Sequence, residues 1–167
     1  MDKKRFLSWQ VVLLLLSLVG IGIAIYLTSV HYQAAPLVCS AQGVIDCARV
    51  LSSPYSVIPG TSLPISLPGL VWCVVSAGAA LAGLTVLAGR RWLYIAQCAW
   101  SLSAMLVVLY LVYVEIVRLH TICAWCSALH AIILAQFLIT LLLVQQPAGE
   151  QEADVEREQP AVTARKQ

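Results

Sequence analysis

Four apolar runs constrain this chain before anything else does. They cover roughly residues 7–30, 67–87, 93–117 and 126–144. Each is on the order of 20 residues, the length a helix needs to cross the hydrocarbon core of a bilayer. No water reaches that core, so every backbone N–H and C=O must be paired within the segment, and such runs fold as helices. The composition agrees, with 60% hydrophobic and only 11% charged residues, against about 25% charged in a soluble domain. The expected fold class is therefore an all-α membrane protein, a four-helix transmembrane bundle. The first run also meets part of the description of a cleaved signal peptide. It is too long for the apolar region of one, however, and no small-x-small cleavage site precedes the polar break.

The net charge of +2 says little about partners, and no nucleic-acid partner is expected. The distribution of Lys and Arg says more. Lys3, Lys4 and Arg5 precede the first run, Arg90 and Arg91 separate the second from the third, and Arg157, Arg165 and Lys166 follow the fourth. Elsewhere stand only Arg49 and Arg118. Cytoplasmic loops carry the excess of positive charge, so both termini are expected in the cytoplasm. The 31–66 loop and the turn before the fourth run then face outward.

The bundle domain is expected over 1–145, with 146–167 a polar, disordered cytoplasmic tail rich in glutamate. Ser17, Gly20, Gly22 and Ala24 in the first run, and Ser76, Gly78, Ala79 and Gly83 in the second, are small residues of the kind that let helices approach closely. In the outer loop, residues 44–51 have the apolar spacing of one or two turns of amphipathic helix, followed by turns at Ser53-Pro54 and Pro59-Gly60. Pro68 fits the first turn of the second span. Tyr26 and Trp9 read as interfacial aromatics.

The chemistry centres on Cys123-Ala124-Trp125-Cys126, placed where the fourth run begins. In the first turn of a helix, residues three apart share a face, and the unpaired N–H groups favour thiolate. Thiolate is the form that attacks disulfides. Cys39 and Cys47 lie in the outer loop on the same side, where disulfides persist. Cys73 and Cys98 fall inside spans and read as inert small hydrophobes.

Four outward cysteines in two pairs permit four readings: two structural disulfides, a four-cysteine metal site, one reactive pair beside an unrelated one, or a dithiol relay. A relay fits best. A Cys-x-x-Cys closes too small a loop to stabilise much, and the spacing is irregular for zinc. In a relay the loop pair takes electrons from an outside thiol and passes them to the helix pair, of which Cys126 is expected to be the more buried. A lipid-soluble quinone suits as terminal acceptor, since it takes two electrons and two protons. His130 lies one turn deeper than Cys126 on the same face, positioned to bond a quinone oxygen or move a proton, or else satisfied by a neighbouring helix. Ser53 offers a hydroxyl to the same pocket, or serves the turn before Pro54. Glu115 is an ionisable group in a span, and so a functional candidate, or else the partner of Arg118 three residues on.

These residues resemble the vitamin K epoxide reductase family. The likeness rests on Cys39 and Cys47 separated by seven residues, then Arg49-Val50 and Ser52-Ser53, then Cys123-Ala124-Trp125-Cys126 opening the last helix. Tyr110-Leu111 and Glu115 before it are similar to the prokaryotic members, and the likeness covers roughly 7–145. The resemblance implies a four-helix bundle around a quinone (menaquinone, ubiquinone or vitamin K type), with no metal. It implies that Cys39 and Cys47 are a shuttle pair, that Cys47 exchanges with Cys123, that Cys126 contacts the quinone, and that Ser53 is the pocket hydroxyl. His130 stands where vertebrate members carry tyrosine, and the chain has no asparagine for the vertebrate pocket position.

No fused thioredoxin-like domain is evident, so a separate thioredoxin-fold thiol oxidase is the expected partner, beside the lipid bilayer. The function expected is a membrane thiol–quinone oxidoreductase that supports disulfide formation. A vitamin K quinone or epoxide reductase yielding hydroquinone is the alternative within enzymes. A non-enzymatic metal-binding or structural membrane protein is the alternative from another class.

Overall fold

A computed structural model describes residues 3–39, 43–85 and 90–145. The expected tail, 146–167, and most of the turn between the second and third spans lie outside the described residues. Four long helices make the bundle: α1 (Lys3–His31), α3 (Ser66–Thr85), α4 (Arg91–Tyr113) and α5 (Ala124–Val144), with a short α2 (Cys47–Leu51) in the loop. All four are long and apolar enough to cross a membrane, at Leu7–His31, Ser66–Thr85, Arg91–Leu119 and Ala124–Val144. The protein is a multi-pass integral membrane protein.

The bundle is apolar outside and partly polar inside, as lipid as a solvent demands. Leu15, Val19, Leu81, Leu106, Leu109 and Leu142 are all exposed, a girdle that water would not tolerate. Gln10, Ser17, Gln97, Gln136 and Thr140 are buried. The amides of Gln10 and Gln97 exchange two hydrogen bonds, at 3.3 and 3.4 Å, joining α1 to α4. Gln136 donates to Ser17 Oγ at 3.2 Å, joining α5 to α1. Inside hydrocarbon these groups have no water to turn to, so each must find its partner across a helix interface.

Two of the small residues marked in the sequence do bring helices together. A Cβ on Gly20 would come within 2.7 Å of Cys73 Sγ, and one on Gly83 within 2.8 Å of the Gln10 amide. Gly22 and Gly78 differ, because a Cβ there meets nothing within 4 Å. α1 packs closely on α3 and α4 on α5, with α1 and α5 joining the two pairs, whereas α3 and α4 touch only lightly. That splay leaves a gap on one side of the bundle.

The loop folds over the gap. Ile58 N–H donates to the Leu63 carbonyl at 2.9 Å around a turn with Gly60 at φ +79°, and a one-turn helix runs over Pro54–Ser56. Both expected turns are therefore present, and Pro68 sits in the first turn of α3. The Thr28 and Ser66 hydroxyls, 2.8 Å apart, fasten the loop's return to α1.

The helix expected over 44–51 is shorter. Its first residues are held instead in a parallel bridge between Ile45 and Ile122. Asp46 then caps α2, its carboxylate accepting from Arg49 N–H at 3.0 Å. At the end of α4 the expected break at Arg118 comes later. The chain continues as a π-helix over Val114–Leu119 and stops at His120, whose φ of 52° is left-handed.

Candidate functional site

The bridge next to Ile122 sets the site. Ile122 N–H donates to the Val44 carbonyl at 2.8 Å, and Asp46 N–H donates back to the Ile122 carbonyl at 3.1 Å. Ile122 and Asp46 are each followed directly by a cysteine, so this pairing carries Cys47 to Cys123. Both are buried, in one cluster with Val50, and Leu37, Cys39, Leu119, Trp125 and Cys126 pack around it. All four loop and helix cysteines thus meet at one end of the bundle. Cys39 and Cys47 form a disulfide, while Cys123 and Cys126 are thiols.

Cys123 is the N-cap of α5 rather than a residue of its first turn, and its Sγ accepts from Cys126 N–H at 3.2 Å. The Cys126 thiol, donating to the same sulfur, holds the Cys123 thiol below its ordinary range. Burial and the charge of Glu115 oppose this, and the Cys126 and Trp125 amides reinforce it. The expectation that Cys126 is the more buried of the pair is reversed. Cys123 is 0% exposed, sealed by the loop, whereas Cys126 is half-buried and opens on a cavity.

That cavity occupies the gap between α3 and α4 and holds about 810 Å³. Its walls are apolar, with Trp72, Val108 and Ile133 among them, and its few polar groups include Ser53, Glu115 and His130. The sequence-expected pocket residues therefore line one space together with Cys126. Ser53 Oγ donates to the Val50 carbonyl at 2.7 Å. It performs its turn role and also lines the cavity. No described residue hydrogen-bonds the His130 imidazole, so satisfaction by a neighbouring helix is not what the structure has. Glu115 and Arg118 do not pair either. The wider i→i+5 turn of a π-helix moves residues three apart off a shared face. Arg118 donates to the Tyr55 hydroxyl, 3.3 Å from both Nε and Nη2, and Glu115 turns inward.

A sequence model of the vitamin K epoxide reductase family matches residues 11–141. The chain belongs to that family. No curated protein matches it. Family membership makes this a membrane oxidoreductase, and the four-helix bundle with its cysteine cluster at one end accords with the family fold.

Within this family site, two aromatic side chains hold the loop, one from the Cys-x-x-Cys and one from the end of α1. Trp125 Nε1 donates to the Val38 carbonyl at 2.9 Å. The Tyr26 hydroxyl accepts from Val38 N–H at 2.7 Å and donates to the Pro36 carbonyl at 3.1 Å. The two rings lie 4.8 Å apart. Together they clamp the extended segment that leads into Cys39. The signal available was the indole inside the Cys-x-x-Cys itself, since an N–H donor at the end of a span needs a partner.

Cys73 packs in the core among Trp72, Val108, Leu129 and Ile133, and neither it nor Cys98 lines the cavity. Among the described residues no three His, Cys, Asp or Glu side chains gather as a metal site.

Proposed function

We propose that the protein re-oxidises an extracytoplasmic thioredoxin-fold thiol oxidase and passes the electrons through its two cysteine pairs to a quinone. The observation that carries this reading is the position of Cys123 and Cys126. Cys123 packs against Cys47 of the loop pair, and Cys126 opens on the apolar cavity. One helix turn thus connects a thiol-exchange cluster with a lipid-side pocket.

The steps balance as follows. A partner dithiol reduces the Cys39–Cys47 disulfide and leaves as a disulfide. Cys47 thiolate attacks Cys123 Sγ of a Cys123–Cys126 disulfide, and Cys126 departs as thiolate. Cys39 thiolate then attacks Cys47, restoring the loop disulfide and releasing Cys123. Thiolate as leaving group favours this last step, and the lowered Cys123 fits it. The product of that exchange is a loop disulfide with a helix dithiol. The Cys123–Cys126 dithiol gives two electrons and two protons to the quinone and closes to its disulfide.

The cavity supports the acceptor. About 810 Å³ with apolar walls falls within the range of pockets that enclose a drug-sized ligand. The light contact between α3 and α4 leaves room for a lipid tail. Cys126 is the sulfur that faces the ring, and His130 and Ser53 are the polar groups that orient it. The Lys and Arg distribution supports cytoplasmic termini and an outward cysteine end.

The test is quinone reduction by purified protein with a small dithiol, unaltered and as Cys126→Ala. Dithiol-dependent reduction that the variant lacks is expected. Equal rates in both would overturn the reading.

A further inference from the structure

Glu115 has no task in these steps, yet the fold goes to some length to place it. The π-helix turns its side chain inward, where it is 6% exposed. Its carboxyl is hydrogen-bonded by the Cys123 backbone amide. Its charge acts on both Cys123 and Cys126. It lines the same cavity as Cys126 and His130. The nearest cation in sequence, Arg118, is engaged with Tyr55. A buried carboxyl without a cation is costly to keep as a purely structural group. One that alternates between charged and neutral beside a reacting dithiol is not wasted.

We propose that Glu115 is the proton carrier of the Cys123–Cys126 dithiol, taking a thiol proton as the pair closes to its disulfide and delivering it into the cavity. The inference rests on the proposed function and deepens it. Closing the disulfide releases two electrons and two protons, and the quinone takes up both. Glu115 accepts one proton from the thiol pair and gives it up again, so it ends each cycle unchanged. Among the described residues, the other titratable groups that line this space are His130 and Cys126 on α5, Tyr55 in the loop and His31 at the end of α1. Of these, His130 stands on the same wall as Cys126 and is the natural second proton donor. Reciprocally, a charged Glu115 disfavours thiolate on Cys123, so protonating the carboxyl and freeing the thiolate are coupled.

Glu115→Gln separates the roles, because the amide oxygen keeps an acceptor for the Cys123 N–H while losing the proton site. Dithiol-dependent quinone reduction is measured against pH for the unaltered protein, Glu115→Gln and Glu115→Asp. In parallel, reduction of the Cys39–Cys47 disulfide by the same dithiol is followed alone. The Gln variant is expected to lose about 100-fold in quinone reduction, the low end for removal of a general acid–base group, and to lose the pH limb that the carboxyl supplies. Loop-disulfide reduction is expected to stay unchanged, and Asp to restore the limb. A Gln variant with unaltered rate and pH profile overturns the proton role alone. So does a variant that loses loop-disulfide reduction equally, since that marks a structural role. Unaltered protein that reduces no quinone overturns the parent reading, and the proton role falls with it.

Discussion

The indole of Trp125 donates to the Val38 carbonyl at 2.9 Å, so a residue between the two helix cysteines holds the residue before the first loop cysteine. The two pairs are thereby built as one unit. Trp125→Phe keeps a ring against Tyr26 but loses this bond. A neutral hydrogen bond contributes about 1 kcal/mol, which converts to roughly fivefold. Transfer from the loop pair to the helix pair is expected to slow by about that factor in single-turnover thiol trapping. Trp125→Ala, which also loses the ring contact, should slow it further. Equal transfer in all three proteins would mean that the clamp does not set the approach of Cys39.

Cys123 supplies the pH dependence. Its thiol is held below the ordinary range chiefly by the Cys126 side chain, so the folded protein favours the thiolate. The stability gained is present above the ordinary thiol value and lost as pH falls through the lowered one. Thiolate absorbance assigned by Cys123→Ser should therefore appear at lower pH than for a free cysteine. In Cys126→Ala the donor is gone, and the midpoint should move up. A midpoint that stays in place would remove Cys126 as the cause.

Much of this was legible in the sequence, because lipid leaves a chain few choices. Twenty apolar residues must be helical, and the four spans fall within a few residues of their expected bounds. The Cys39–Cys47 bond was legible too, since the two cysteines lie eight residues apart in one loop. What could not be read was long-range backbone geometry. The Ile45–Ile122 bridge replaces the start of an expected helix, and nothing local distinguishes the two. The Glu115–Arg118 spacing implies a pair only if the helix is regular, and the π-helix removes that premise. Cys126 looked deeper than Cys123 because it follows it into the span. The loop reverses this by covering Cys123, a tertiary effect with no trace in the motif.

Gly20 and Cys73 make a packing test independent of the chemistry. A methyl at position 20 would come within 2.7 Å of Cys73 Sγ, inside a fully buried contact between α1 and α3. Overpacking of this kind costs about 1–3 kcal/mol. Gly20→Ala should lower thermal stability in detergent, and Cys73→Ala in the same chain should recover most of the loss. Cys73→Ala alone should leave quinone reduction intact, since the thiol does not line the cavity. Activity lost with Cys73 would put that thiol into the electron path and change the relay.

Cys39 tests both the direction of electron flow and the side of the membrane. It is the half-buried member of the loop disulfide, whereas Cys47 is 1% exposed. A partner protein therefore reaches Cys39 first, because a folded thiol oxidase cannot approach a buried sulfur. Cys39→Ala is expected to abolish reduction by a thioredoxin-fold dithiol. A small dithiol, able to reach the helix pair directly, should still drive quinone reduction at a diminished rate. Equal loss with both donors would count against a shuttle role. In intact reduced cells, a membrane-impermeant maleimide should label Cys39 when the other five cysteines are replaced. Labelling only after lysis would place the cysteine end in the cytoplasm, against the distribution of Lys and Arg, and would make a cytoplasmic dithiol the electron source.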